Sequence, residues 1–178
     1  ESLRKFLPSD KIWPINELWN FHCCRGEFDN LDRYNEAMDK RLGPARGLAD
    51  YLRKAQFLNF EAMRGMYEAF VARRPLATGI IQWMYNSAWP KLWWQLFGYD
   101  LLPNGAFFGA RKACEPLHIL YDMGTHEVVV TNDAPAGSGP VTASVQVLNL
   151  DGAVRFSKEV AVDLGRDEKK TLLAPPVP

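Results

Sequence analysis

Ala77-Thr78-Gly79-Ile80-Ile81-Gln82-Trp83-Met84 is the stretch that decides the fold class. It is short, β-prone and almost continuously apolar, which is how a strand covered on both faces reads, as in a parallel sheet. Just before it, Pro75 ends the clearest helix of the chain. Over residues 45–73, Leu48, Leu52, Ala55, Leu58, Ala62, Met66 and Ala69 recur every three or four positions and predict one apolar face. Arg73 and Arg74 fall at its C-terminal end, where cations suit the helix dipole. A long helix feeding a buried strand is half of a βαβ unit.

Working outward, Ser2 is placed to cap a short helix over Leu3–Leu7 that Pro8 ends. Residues 9–30 read as irregular, anchored by Trp13, Trp19 and Phe21, and residues 31–42 as a helix before the Gly43-Pro44 break. Residues 85–104 form a long aromatic loop with Trp89, Trp93, Trp94, Phe97 and Tyr99. Loops of that length in compact domains are functional or packed on something. Residues 105–114 suit another short helix.

Composition changes near Glu115-Pro116. All six tryptophans and all three cysteines precede it; Val, Thr, Gly, Asp and Pro dominate after it. We therefore divide the chain into domains at residues 1–117 and 118–178. In the second, Val128-Val129-Val130 form one run. Val141, Ala143, Val145 and Val147 alternate with Thr142, Ser144 and Gln146, the period of a half-buried strand. Asp151-Gly152 signals a hairpin turn into Ala153–Val162, and a last strand is expected over Lys170–Leu173. These four or five strands fall short of the roughly seven of an immunoglobulin-type sandwich. Together with a start at Glu1 in place of Met, they predict an internal piece of a longer protein.

The charge balance is neutral, with 21 basic against 21 acidic residues. It offers no footprint for nucleic acid or an anionic membrane. No apolar run is long enough to span a bilayer or resembles a signal segment. The odd cysteine count is no disulfide framework. Cys23 and Cys24 lie beside His22 but lack the second CxxC or HxxxH of a zinc site, so no metal is expected.

No GxSxG, HExxH or phosphate-binding glycine loop is present. His22, His118 and His126 are scattered and read as structural. Glu61 and Glu68 lie on the long helix, and Glu115 precedes a proline at the domain boundary, where it suits accepting hydrogen bonds. None offers the pair of carboxylates, roughly 5–10 Å apart, that glycoside chemistry needs. Trp83 and Asn86, at the C-terminal end of the predicted strand, and Trp89 just beyond it are better candidates for binding. Flat indoles cover the C–H faces of sugar rings, and an amide hydrogen-bonds hydroxyls. The competing reading has these tryptophans packing one layer against another.

Thr78 through Pro90, Trp93 through Tyr99 and Gly105 through His118 carry a family resemblance. They are similar to the last barrel strand and following loop of glycoside hydrolase family 2, of the exo-β-D-glucosaminidase and plant-type endo-β-mannosidase kind. Tyr51 through Gln56 and Val147 through Gly152 resemble the same enzymes. The resemblance runs from Leu3 to about Leu164, and Thr78–His118 is its specific part.

It implies an α/β part followed by a β part: the C-terminal portion of a (β/α)8 barrel, residues 1–117, then an incomplete immunoglobulin-like β-sandwich, residues 118–178. It further implies a retaining hydrolase of β-linked amino sugars, acting without a cofactor, whose two catalytic carboxylates lie upstream of Glu1. Trp83 matches the aromatic of the sugar pocket, with Asn86 and Trp89 at neighbouring positions. The implied partners are a carbohydrate substrate and the remaining domains of the parent chain, with no nucleic acid and no membrane. The implied location is extracellular or periplasmic. The alternatives are a β-mannoside hydrolase and a non-catalytic carbohydrate-binding or interaction module.

Overall fold

The computed structural model describes residues 1–93 and 95–176; Trp94 of the aromatic loop lies outside them. The helices are α1 (Glu17–Phe21), α2 (Asp32–Leu42), α3 (Leu48–Ala72) and α4 (Gly105–Ala113). Five strands follow: β1 (Leu117–Asp122), β2 (Glu127–Asn132), β3 (Pro140–Leu148), β4 (Val154–Asp163) and β5 (Glu168–Leu173). The chain divides into two units, residues 1–64 with 81–110, and residues 65–80 with 111–178.

The first unit is helical. Its core gathers Leu7, Ile12, Trp19, Cys23, Leu31, Met38, Tyr51 and Leu58. Trp19 meets Tyr51 edge-on and donates its indole N–H to the carbonyl of Ile12 at 3.1 Å, so its one polar atom is satisfied inside. Asn16 caps α1, its side chain accepting from the Leu18 amide at 3.0 Å. Ser2 departs from expectation. Residues Ser2–Lys5 form a 3-10 turn without a side-chain cap, and the Ser2 hydroxyl donates to Asp100 Oδ2 at 2.7 Å instead. That bond, together with Lys5 at 3.0 Å, holds the Asp100 carboxyl below the usual carboxylate range.

The predicted stripe of α3 holds for its N-terminal half, where Leu48, Leu52, Ala55 and Leu58 join the core. Ala62, Met66 and Ala69 are exposed, and the buried positions further along are Glu68 and Ala72. The predicted face is thus correct only where the helical core of the first unit covers it.

α4 crosses α3 at unusually short range. A Cβ on Gly105 would stand 2.0 Å from the Gln56 carbonyl oxygen, and one on Gly109 would stand 2.3 Å from that of Phe60. Ala106 and Ala110, both buried, complete the small face. Backbone cannot move aside as a side-chain tip can, so Gly109→Ala is expected to destabilise by about 1–3 kcal/mol. Gly65, also in α3, has nothing within 4 Å of its added Cβ. Gly65→Ala should therefore be neutral or stabilise by up to about 1 kcal/mol. Paired thermal unfolding curves check the contrast.

In the second unit β1, β2 and β5 form one antiparallel sheet with β2 in the middle, and β3 pairs with β4 in a second. Val128, Val129 and Val130 are all buried, because β2 is covered on both faces. Val129 and Leu120 pack on Ala72 and Val71 of α3, while Val130 packs with Val162, Leu164, Val141 and Leu172. Lys169 Nζ donates to the carbonyls of Ala72 and Arg74 at 2.7 and 2.9 Å, filling acceptors that the end of α3 leaves open. Arg74 also pairs with Asp133.

Residues 77–84 are the main correction. They form no strand and are not covered on both faces: Ile81 is 96% exposed and Trp83 79%. A strand needs neighbours for its N–H and C=O groups. The strands of the described residues pair antiparallel with one another, and none of them takes 77–84 as a ladder neighbour.

Candidate functional site

The aromatic loop is folded, although it contains no helix or extended strand. The Tyr85 carbonyl accepts from the amides of both Leu96 and Phe97 at 3.1 Å, and Asn104 N–H donates to Leu96 O at 3.1 Å. Asn104 then turns the chain into α4, accepting from Ala106 N–H at 2.9 Å. Single bridges join Asn86 to Phe97 and Phe97 to Pro103. Phe97 lies between Tyr85 and Phe107, tilted against both, with centroids 4.8 and 4.9 Å away.

Trp83 sits at a bend of the 77–84 stretch and is largely exposed. Asn86 is exposed, its amide nitrogen 3.4 Å from the Ser87 carbonyl. Trp89 is 38% exposed and belongs to a four-ring cluster. Its ring lies 5.3 Å from His22, tilted by 36°, and 5.7 Å from Phe21, edge-on. Phe6 covers His22 at 4.4 Å. Lys91 Nζ sits 5.9 Å from the Trp89 centroid and 3.8 Å from Cys24 Sγ. Among the described residues no ring contact or hydrogen bond joins Trp83, Asn86 and Trp89 to one another, although all three lie within seven consecutive positions. A cavity of about 210 Å³ elsewhere in the first unit, bordered by Trp13, Asn35, Asp39 and Tyr51, includes none of them.

The other titratable groups have structural tasks. His118 is buried, with Nε2 2.8 Å from Glu68 Oε1 and Nδ1 3.4 Å from Glu115 Oε2. Lys112 donates to the same Glu115 oxygen at 2.7 Å, and Lys112 first, then His118, holds that carboxyl below its usual range. Cys23 is buried against the Trp19 carbonyl, and burial pushes its thiol up, away from a reactive thiolate. Among the described residues no three His, Cys, Asp or Glu side chains gather as a metal site, and no helix is long and apolar enough to cross a membrane.

His22 is the residue that sequence reasoning underrated. It reads as a lone histidine, and its partners lie 67 to 70 positions further on, where periodicity has no reach. Its adjacency to Phe21 and the distant Trp89-Pro90 pair was the available signal.

No family model matches the sequence. Exo-β-D-glucosaminidase from Streptomyces avermitilis is 43% identical over 89% of this chain and 18% of its own length, and that from Amycolatopsis orientalis is 37% identical over 83% and 15%. Mannosylglycoprotein endo-β-mannosidase from Lilium longiflorum is 25% identical over 82% and 15%. The chain thus spans less than a fifth of the length of these relatives. A solved complex of Amycolatopsis orientalis exo-chitosanase superposes with a TM-score of 0.86 at 32% identity, covering 99% of this chain and 22% of that one. In sequence and in fold, therefore, this chain is a homologue of one segment of the exo-β-D-glucosaminidases, the group its aromatic stretch resembles.

Proposed function

We propose that the chain is one segment of a retaining glycoside hydrolase that trims β-linked amino sugars from chitosan-type oligosaccharides. In this reading residues 1–117 complete a catalytic (β/α)8 barrel, and residues 118–178 begin the immunoglobulin-like sandwich after it. Residues 77–84 take their place as the last barrel strand when parallel neighbours from the rest of the protein supply hydrogen-bond partners. Trp83, Asn86 and Trp89 line the sugar pocket, with the indoles against ring C–H faces and the amide on hydroxyls.

The observation that carries this reading is the 43% identity to an exo-β-D-glucosaminidase over 89% of this chain, with Trp83 in the stretch that resembles those enzymes. A tryptophan serving only to pack the chain's own layers would be covered by them. The chemistry is a double displacement. One carboxylic acid protonates the leaving oxygen, a carboxylate attacks the anomeric carbon, and water hydrolyses the glycosyl-enzyme. Both acids are assigned to residues outside this chain, and no cofactor takes part.

Proton NMR of the full-length protein acting on a β-linked glucosamine disaccharide is the test. The first product formed should be the β-anomer. Initial release of the α-anomer would rule out retention. Turnover of β-mannosides without turnover of β-glucosaminides would move the substrate class to the mannosidases.

A further inference from the structure

We infer that His22 is a positioning residue for Trp89, holding the loop that carries this indole at the angle the sugar pocket needs. The inference rests on the reading of Trp89 as a sugar-contacting ring. Three contacts converge on this histidine. Its Nδ1 lies 2.9 Å from the Pro90 carbonyl oxygen, its own carbonyl accepts from the Leu92 amide at 3.0 Å, and its ring lies against Trp89. Positions 89, 90 and 92 are thus tied to one residue at the end of α1.

A carbonyl oxygen only accepts, so Nδ1 carries the proton and donates. His22 is 8% exposed, its ring covered by Phe6 at 4.4 Å with Phe21 edge-on at 5.4 Å. His22 therefore has little freedom, and the loop inherits its rigidity. Trp89 keeps 38% of its surface open while the side facing His22 is occupied. Trp89 is thus held by His22 on one side while part of its surface stays open, with Lys91 Nζ over the ring at 5.9 Å from its centroid.

The test is a double-mutant cycle in the full-length protein, measured on glucosamine oligosaccharides with KM and kcat resolved separately. Trp89→Ala should raise KM about tenfold with kcat within about threefold, and His22→Ala should raise KM by about five- to tenfold. Because His22 acts through the indole, the double variant should match Trp89→Ala alone to within about twofold. His22→Asn, which keeps an N–H near the Nδ1 position, should recover most of the loss; His22→Phe, which keeps a ring but no donor, should not. If His22→Ala lowers the folded yield, the Asn and Phe variants carry the comparison.

Multiplicative effects in the double variant, or an unchanged KM in His22→Ala beside a raised KM in Trp89→Ala, would overturn the inference and leave the pocket reading intact. An unchanged KM in Trp89→Ala would remove Trp89 from the pocket and the role of His22 with it.

Discussion

Asn132→Ala is expected to weaken the second unit by about 3 kcal/mol, the largest stability loss we anticipate from a single truncation. Asn132 is 1% exposed at the end of the central strand β2. Its amide nitrogen donates to the carbonyls of Ala136 and Gly165 at 2.8 and 2.9 Å, and its side-chain oxygen accepts from Ala134 N–H at 3.2 Å. Alanine would leave two acceptors and one donor without a partner, at about 1 kcal/mol each. The 133–139 loop and the β4–β5 connection would both lose a tether, keeping the Ser138–Leu164 bonds between them. Amide hydrogen exchange along β2 and β5 should accelerate about 100-fold relative to the parent. Unchanged protection would mean that water replaces the amide at no cost. Hydrogen exchange is preferred to a global melt because a chain of two units need not unfold in one step.

Trp83→Ala is expected to lower kcat/KM of the full-length hydrolase about 100-fold, near 3 kcal/mol, if its indole stacks on the sugar as firmly as a buried aromatic packs. The same substitution should leave the stability of this segment nearly unchanged, since its own described residues cover little of the ring. Trp83→Phe should recover part of the activity by keeping a flat face. The reverse pattern, unaltered kinetics with a lowered melting temperature, would return Trp83 to a packing role.

Comparing two apolar runs shows where sequence was informative. Val128-Val129-Val130 and Thr78 through Met84 carry a similar local message, a β-prone stretch with few polar interruptions. The first becomes a central strand because β1, β5, the β3–β4 hairpin and the end of α3 all lie within its unit to cover it. The second stays irregular and largely open because no strand among the described residues pairs with it. Periodicity reports what a residue prefers; burial requires a partner, and partners are set by topology.

The hairpin reading of Asp151-Gly152 succeeded for the complementary reason. Its determinants are local: the Asp151 carboxylate accepts from Ala153 N–H at 2.9 Å and Gly152 adopts φ +86°. The glycines at 105 and 109 were legible only as weak helix formers. Their purpose, a close crossing with α3, depends on residues about fifty positions earlier. In the candidate site Trp83, Asn86 and Trp89 were picked out by residue chemistry and family resemblance, whereas the bracing of Trp89 by His22 emerges only from the fold.

The most direct test is a crystal structure of the full-length protein with glucosamine bound. The account predicts residues 77–84 hydrogen-bonded to a parallel neighbour, and the Trp83 ring against the sugar at van der Waals range, about 4 Å. A structure in which that stretch joins no sheet, with Trp83 remote from the bound sugar, would contradict it.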